Sequence, residues 1–247
     1  MDNASAIALS RLAATAREMD VIANNIANSD TPGFKAERMQ FADWMFRQSR
    51  VNPPPGGRTL HYVVDRADWH DMRPGALRKT GNPLDLALGG GGFFTVRTPQ
   101  GVRLTRDGRF GLMPDGTIAD ASGNPVLDNS GQPIQIATGD SGITVAADGT
   151  ISTAQNGIIG QIGVVRPQNP MALQSAGGNL FLATGPTTAV TNPGIIQGML
   201  EGSNVQPVLE LTRMMTALRN FQFVANFAKS EASLEQSAID RIAQPAA

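Results

Sequence analysis

Asn24-Asn25-Ile26-Ala27-Asn28-Ser29-Asp30-Thr31-Pro32-Gly33-Phe34-Lys35 is the stretch that separates a helical pattern from the rest of the chain. The residues before it that recur at a spacing of three and four are Ala8, Leu12, Thr15, Met19, Ile22 and Ile26. This period predicts an amphipathic helix over residues 4–28. Thr31-Pro32-Gly33 then contains two helix-breaking residues, so the stretch predicts the end of that helix.

The polar residues of the same stretch suggest contacts and a bend. Asparagine forms helices poorly but bonds readily to nearby backbone, which suits a helix surface that meets a neighbour. We therefore predict that Asn24, Asn25 and Asn28 contact adjacent helices. A simple polar end to the helix is the alternative for each of them.

The composition excludes several classes of protein. The chain has 247 residues with 41% hydrophobic content, enough for a core, and its lack of Cys excludes disulfides, thiolate catalysis and cysteine metal sites. A net charge of -1 gives no broad surface for nucleic acid or anionic lipid. No apolar stretch reaches the length of a membrane span, and no Sec-type signal is visible. We expect no nucleic-acid partner and no stable membrane insertion.

Short apolar runs between turn residues fill the centre of the chain. We predict strands over residues 85–88, 93–97, 102–106, 109–113, 117–119, 143–145, 161–166 and 180–183. Asp107-Gly108 lies between two of these runs and predicts a hairpin, because both residue types tolerate positive φ. Asp115-Gly116 and Asp148-Gly149 predict two more turns of this kind. The pattern indicates a mainly antiparallel β domain.

A second helical pattern follows Pro207, which suits a first helical turn. Its members alternate at three and four: Leu211, Met214, Leu218, Phe221, Ala225, Ala228, Ala232, Glu235, Ile239 and Ile242. This is the period of a coiled coil. Three successive positions of this pattern are alanine, and each contributes about 2 kcal/mol less to the stability of the packing than a buried leucine would. The helix should therefore depend on close-packed neighbours.

These patterns together predict an α+β fold with four segments. Residues 1–35 form the N-terminal helix and a junction, and 36–73 form a linker that includes Pro53-Pro54-Pro55-Gly56-Gly57. Within the linker, the apolar residues around 41–46 form either a short helix or a strand. Residues 74–198 form the β domain, and 199–247 form a helix that pairs with the first in a coiled-coil-like layer.

Motifs that could carry chemistry are weak. Gly139-Asp140-Ser141-Gly142 is similar to the nucleophile motif of chymotrypsin-like proteases, which needs a histidine base, but the only histidines, His61 and His70, lie beside or within the predicted linker. The composition of the stretch favours a polar turn before the strand at 143–145. The glycine run 89–92 precedes a strand, whereas phosphate-binding loops precede a helix. His61 and His70, with Asp65, Asp68 and Asp71 near them, match no zinc spacing. We predict no catalytic residue, no metal and no cofactor.

Three stretches resemble the bacterial flagellar rod and hook proteins. Residues 19–28 with Thr31 and Gly33-Phe34-Lys35 resemble the N-terminal signature of that family. Residues 80–88, 92–94 and 105–110 resemble its central domain. Glu201-Gly202-Ser203-Asn204-Val205, followed by Met214-Met215 and Arg219, resembles the entry into its last helix. The similarity spans nearly the whole chain and is greatest to the proximal-rod members.

The resemblance implies a non-enzymatic subunit of the flagellar basal-body rod, a periplasm-spanning shaft that transmits torque. It implies other rod proteins, copies of itself and the flagellar export apparatus as partners, and export through the flagellum-specific path without a cleaved signal peptide. The predicted assembly interface comprises Leu12, Met19, Ile22, Asn24, Asn25, Ile26, Asn28, Asn204, Leu211, Met214, Leu218, Arg219 and Phe221. Thr31, Gly33 and Phe34 are the predicted hinge.

Two alternatives stay open at this point. One is a distal rod or hook protein of the same family. The other is an exported glycan-binding or glycan-active β protein, for which an acidic pair such as Asp107 and Asp115 would have to lie near aromatic residues.

Overall fold

The computed structural model describes residues 2–47, 59–137 and 139–243. Within these ranges, two α-helices flank a series of strands. The helices are α1 (Asp2–Ala27) and α2 (Pro207–Ala243), with a short 3-10 helix at Pro170–Ala172. The strands are β1 (Glu37–Arg47), β2 (Thr59–His70), β3 (Leu77–Lys79), β4 (Leu86–Leu88), β5 (Phe93–Thr98), β6 (Gly101–Thr105), β7 (Phe110–Leu112), β8 (Ile118–Asp120), β9 (Thr144–Val145), β10 (Thr150–Thr153), β11 (Gly157–Gln161), β12 (Val164–Pro167), β13 (Leu173–Ser175), β14 (Leu180–Ala183), β15 (Thr187–Ala189), β16 (Ile195–Gln197) and β17 (Met199–Glu201).

The chain divides into two compact units. The helical unit takes Met1–Ala27, Glu37–Trp69 and Gln206–Ala247, and the β unit takes Asn28–Ala36 and His70–Val205. The α+β class predicted from the sequence is confirmed, with a helix at each end and a mainly antiparallel β region between them.

In the helical unit, α1 packs against α2 and contacts β1. The six residues of the predicted N-terminal stripe are all buried or half-buried, so the three-four period correctly identified the packed face of α1. Strands β1 and β2 pair with each other. The residues around 41–46, left open as helix or strand, are therefore strand, while the predicted Pro53–Gly57 linker lies outside the described residues.

In the β unit, the largest sheet has six strands in the order β13-β14-β6-β5-β12-β15, all antiparallel. A three-stranded sheet has the order β11-β10-β9, and three pairs are formed by β16 with β4, β17 with β3, and β7 with β8. Phe94, Val96, Val126, Ile151 and Val164 are at most 1% exposed and lie at the centre of the core.

The predicted hairpin at Asp107-Gly108 is wrong. Strand β6 pairs with β5 and β14, whereas β7 pairs with β8. Gly108 serves close approach instead of a turn, because a Cβ there would lie 1.6 Å from the carbonyl oxygen of Leu86. The turns at Asp115-Gly116 and Asp148-Gly149 are confirmed, with φ of 83° at Gly116 and 91° at Gly149.

The predicted strand over residues 161–166 is two strands. β11 ends at Gln161 and β12 begins at Val164. Gly163 lies between them with its N–H bonded to Leu127 O at 2.9 Å. A Cβ on Gly163 would lie 2.6 Å from Asp128 O, so the chain breaks its strand where it passes close to another segment.

Candidate assembly interface

Helix α2 packs against α1 along a stripe rotated from the one that the sequence predicted. Ala225 is half-buried beside this stripe. The stripe itself consists of the buried and half-buried positions Glu210, Met214, Ala217, Phe221, Val224, Ala228 and Glu231. They alternate at four and three, so the coiled-coil period holds while its register shifts by one residue at alternate positions. We call these residues the seam. Of the predicted stripe, Met214, Phe221, Ala225 and Ala228 are half-buried, whereas Leu211, Leu218 and Ala232 are exposed. The side chains at 235, 239 and 242 lie outside those described.

The first residue of the seam, Glu210, is a buried carboxylate. Glu210 is fully buried, and its Oε1 accepts from Arg38 Nη1 at 2.7 Å and from Arg213 Nη1 at 2.9 Å. Its place in the first turn of α2 sets the negative charge near the positive end of the helix dipole. Two arginines and the dipole together offset the cost of burying the charge.

Asn25 links α1 to the start of β1. It is fully buried, its Oδ1 accepts from Glu37 N at 2.8 Å, and its Nδ2 donates to Glu37 O at 2.9 Å. The amide thus pairs with one residue of the strand as a neighbouring strand would. Beside it lies a cavity of about 280 Å³ whose lining includes Ile22, Trp69 and Glu18. Burial raises the pKa of Glu18, and the nearby Arg213 guanidinium opposes that rise.

Two further apolar stripes lie on the outside of α2. Stripe A consists of Val208, Leu211, Met215 and Leu218, which are 46–79% exposed, and stripe B consists of Phe223, Phe227 and Leu234, which are 47–74% exposed. At roughly 100° per residue, the two lie about 120° on either side of the seam. Opposite the seam the exposed residues are mainly polar, and Val208 of stripe A lies at the N-terminal end of this face. We call its polar members the polar stripe: Thr212, Arg219, Asn226, Ser230, Ser233 and Ser237.

The remaining predicted interface residues of the helical unit divide by exposure. Leu12, Met19 and Ile26 on α1 are half-buried, as are the seam residues Met214 and Phe221, whereas Ile22 is buried. Asn24 is exposed, and Arg219 lies on the polar stripe. Their roles as contacts between subunits stay predictions.

In the β unit, three chain segments converge on one buried cluster. The segments are residues 28–36, 70–75 and 201–205. Lys35 Nζ lies 2.5 Å from Glu201 Oε1, and Arg106 Nη1 lies 3.1 Å from Glu201 Oε2. Lys35 and Glu201 are each 1% exposed, and Arg106 is 7% exposed. Lys35 Nζ also donates to Arg73 O at 2.9 Å, so the ammonium joins all three segments.

Burial sets the protonation of this cluster. Burial lowers the pKa of Lys35, and the hydrogen bond and charge of Glu201 oppose that fall. Burial likewise lowers the pKa of Arg106 against the same partner. The Glu201 carboxylate thus favours the charged forms of two cations that burial disfavours.

Asn204 and the predicted hinge belong to the same convergence. Asn204 Oδ1 accepts from Ala36 N at 2.8 Å, and its Nδ2 donates to Asp71 O at 2.7 Å and Arg73 O at 3.0 Å. Gly33 has a φ of 68°, and a Cβ there would lie 2.3 Å from the backbone of Arg106.

The other predicted residues of this region lie in the turn after α1. The Thr31 hydroxyl donates to Asn28 Oδ1 at 3.1 Å, and Phe34 N bonds to Thr31 O at 3.3 Å. The structure therefore shows Asn28, Thr31, Phe34 and Asn204 in bonds within the β unit. Contacts of Asn28 and Asn204 with other subunits, and a hinge at Thr31, Gly33 and Phe34, stay predictions.

Sequence reasoning missed Lys35, Glu201 and Arg106 as a functional group, and Arg38 and Glu210 in the helical unit. The ion pairs join residues more than 90 positions apart, so no local spacing could reveal them. Lys35, Arg106 and Glu201 do lie in the stretches that resemble the rod and hook family, which was the available signal.

The alternative chemistries gain no support from the described residues. Burial raises the pKa of Asp107, whereas the Thr117 N–H lowers that of Asp115, which caps its own exposed turn. Both tryptophans and the tyrosine lie between residues 44 and 69, in the helical unit, so the β unit has none to hold a sugar ring. The Ser141 side chain accepts from Gln155 Nε2 at 2.8 Å on an exposed turn.

The proposed metal ligands also divide. The His70 ring meets Phe181 edge-on with centroids 4.9 Å apart, and burial lowers its pKa. Asp71 pairs with Arg73. His61, Asp65 and Asp68 lie outside the described side chains, and among those described no three His, Asp or Glu side chains converge as metal ligands. Neither described helix contains a segment with the length and hydropathy needed to cross a bilayer.

Three family descriptions match the chain. They are "Flagella basal body rod protein" over residues 6–35, "Flagellar hook protein FlgE/F/G D1 domain" over 87–153, and "Flagellar basal body rod FlgEFG protein C-terminal" over 196–241. The flagellar basal-body rod protein FlgF of Caulobacter vibrioides is 40% identical over 98% of both chains. The chain belongs to the flagellar basal-body rod family.

Other relatives carry two names within this family. FlgF of Mesorhizobium japonicum is 33% identical over 97% of each chain. The rod protein FlgG of Bacillus subtilis is 34% identical over 83% of this chain and 86% of its own. In this rod-family protein, the N-terminal match covers most of α1 and the turn after it, and the C-terminal match covers most of β16, all of β17 and most of α2.

Proposed function

We propose that this chain is a non-enzymatic structural subunit of the proximal flagellar rod. It assembles helically with copies of itself and with other axial proteins, and the assembled shaft transmits torque across the periplasm. It reaches that place through the flagellar export apparatus.

The observation that carries the proposal is the distribution of apolar residues around α2. The seam is satisfied by α1, but stripes A and B together expose seven large apolar side chains. A single helix with three apolar faces is stable in water when other helices cover it. A helical assembly supplies such neighbours on both sides of every subunit.

The polar stripe opposite the seam fits the same arrangement. With apolar contacts on three sides, only this face is left for water. In a tube of helices, it would line a solvent-filled channel or an outer groove. Arg219 and Asn226 lie on this face and should tolerate substitution by other polar residues.

The share of this chain that its relatives match favours a position in the proximal part of the rod. The relatives named FlgF match 94–98% of this chain, and those named FlgG match 83–89%. A distal position is the second candidate, because the FlgG relatives are still 32–34% identical. Immunogold labelling of purified basal bodies distinguishes the two by the height of the label along the rod.

Leu218→Asp tests the assembly itself. The carboxylate would stand at the C-terminal end of stripe A, where burial between subunits costs several kcal/mol, on the order of an unpaired buried charge. We expect the variant to be absent from purified rods while hydrogen exchange of the β unit stays as in the wild type. Asn226→Asp is the matched control, since it adds the same charge on the polar stripe and should be incorporated. Incorporation of Leu218→Asp at the wild-type level would contradict the proposal.

A further inference from the structure

The segments that follow α1 and precede α2 run side by side in the same direction. Gly33 N bonds to Glu201 O at 2.7 Å, and Ala36 N bonds to Asn204 Oδ1 at 2.8 Å. Both pairs have the same sequence offset of 168 residues. Asn204 N bonds back to Phe34 O at 3.4 Å. In these three bonds the partner's number rises or stays level as the chain advances from residue 33 to 36, so residues 33–36 and 201–204 run in the same direction.

Parallel pairing decides how a pulling force is shared. Helix α1 joins the first segment at its N-terminal end, and α2 joins the second at its C-terminal end. Tension that separates the two helices, once it exceeds what their packing along the seam can hold, therefore pulls the segments in opposite directions along their common axis. All bonds between them are loaded together in shear, whereas antiparallel segments pulled in this way would be peeled apart one bond at a time.

The third segment braces this pair. Asp71 N bonds to Ala36 O at 2.8 Å, and Gly75 N donates to Glu201 Oε1 at 3.0 Å. The Lys35–Glu201 ion pair adds a charge-assisted bond that is buried from water. Water therefore cannot readily replace the strained bonds at the centre of the group.

We propose that residues 33–36, 71–75 and 201–204 form a mechanical clamp that carries the load between the terminal helices and shields the β core from it. The core strands β3–β16 lie within the loop that the clamp closes, so they bear tension only after the clamp breaks. The inference rests on the proposed function only in that the rod applies load through α1 and α2. The clamp itself is a property of the single chain.

Force spectroscopy on the full chain tests the clamp. The protein has no cysteine, so Asp30→Cys and Gln206→Cys, both at exposed positions, give two unique attachment points for DNA handles in optical tweezers. We expect Asn204→Ala and Lys35→Met each to lower the first rupture force at least about two-fold. Rupture of the variants at the wild-type force would overturn the proposal.

A matched control separates the clamp from general stability. Thr95→Val keeps the side-chain volume and removes the buried bond from Thr95 Oγ1 to Gly163 O, which lies outside the clamp. Its rupture force at the same handles should equal that of the wild type. A reduction as large as that of Asn204→Ala would contradict the proposal.

A second handle position needs no destabilising variant. Ala121→Cys and Ala154→Cys lie at exposed positions inside the closed loop, so force applied there reaches the core without passing through the clamp. We expect first rupture at less than about half the force needed at residues 30 and 206. An equal or higher force would overturn the clamp.

Swimming assays separate the clamp from the proposed function. Cells carrying Asn204→Ala should swim normally in dilute medium and lose speed in viscous medium, where the load on the rod rises. If a deletion of the gene leaves motility intact, the proposed function fails while the force measurements still decide the clamp. If the deletion abolishes motility and Asn204→Ala swims like the wild type in both media, the load-bearing role fails.

Discussion

Glu201→Gln removes the charge that neutralises two buried cations. The carboxylate accepts from Lys35 at 2.5 Å, from Arg106 at 3.1 Å and from Gly75 N at 3.0 Å, and all three charged side chains are at most 7% exposed. Breaking a buried ion pair by removing one partner costs about 3–5 kcal/mol. We expect Glu201→Gln to lower the free energy of unfolding of the β unit by about this amount.

In the Glu201→Gln variant, release of a proton from Lys35 limits the loss in the free energy of unfolding. Burial already lowers the pKa of Lys35, and without Glu201 it falls further. The unfolded lysine, with its higher pKa, then binds more protons than the folded one. Stability of Glu201→Gln should therefore rise with pH from the lowered folded pKa up to about 10.4, the unfolded value.

Urea titration followed by far-UV circular dichroism measures the loss, and hydrogen exchange assigns it to a unit. Tryptophan fluorescence reports only the helical unit, because Trp44 and Trp69 both lie there. Asp30→Asn, at an exposed position of the β unit, is the matched control and should leave the urea midpoint near that of the wild type.

A double-mutant cycle refines the test. Glu201→Gln combined with Lys35→Met should cost about 1.5–3 kcal/mol less than the sum of the two single variants, since the pair interacts directly. A loss below about 1 kcal/mol for Glu201→Gln, or strict additivity, would refute the claim that this carboxylate holds the cations in the core.

Three further predictions concern single positions. Asn25→Ala removes both bonds to Glu37 and should destabilise the helical unit by about 2–4 kcal/mol, seen as a lower urea midpoint of tryptophan fluorescence; an unchanged midpoint would contradict it. Gly33→Ala should lower the melting temperature clearly more than Gly131→Ala, because both glycines have positive φ but only at Gly33 would a Cβ collide with backbone atoms. Equal losses of melting temperature would mean that this crowding is unimportant. Burial lowers the pKa of His70 in the folded state, so the contribution of neutral His70 to the free energy of unfolding is present above the unfolded pKa of about 6.5 and is lost as pH falls toward the folded pKa. His70→Gln should flatten this dependence of stability on pH, and an identical pH profile would argue against it.

Local periodicity identified the two helices, because each has one packed stripe that repeats at three and four. It failed on the register of α2 for a physical reason. The helix carries apolar residues on three faces, so a pattern search finds Leu211 and Leu218, which are exposed, as readily as Ala217, which is buried. Burial of Glu210 could not be predicted, since it depends on Arg38 from a distant strand.

Turns of the β unit were predictable where the turn residues themselves decide the conformation. Gly116 and Gly149 have the positive φ that their Asp-Gly pairs indicated. Gly108 was misread, because its role is to admit the carbonyl of Leu86, a contact between segments that no local pattern records. Short strands such as β3 and β17 were missed for the same reason, since each is defined by a partner over 100 residues away.

The candidate site was predicted in its stretches but not in its contacts. Residues 24–35 and 201–205 were singled out from the sequence, and the structure shows Asn204, Lys35 and Glu201 bonded within the β unit. Their partners come from segments separated by the whole β region. A hydrogen-bond network of this kind is fixed by tertiary structure alone.

Stripes A and B make the unassembled chain prone to self-association. Before neighbours cover them, seven large apolar side chains of one helix are in contact with water, and two such helices that meet will associate whether or not the geometry is that of a rod. Oligomers should therefore form in purified protein as its concentration rises, and mild detergent should disperse them. In the cell, a surplus of free subunits is a hazard, so synthesis has to keep pace with incorporation or another protein has to cover the helix until then.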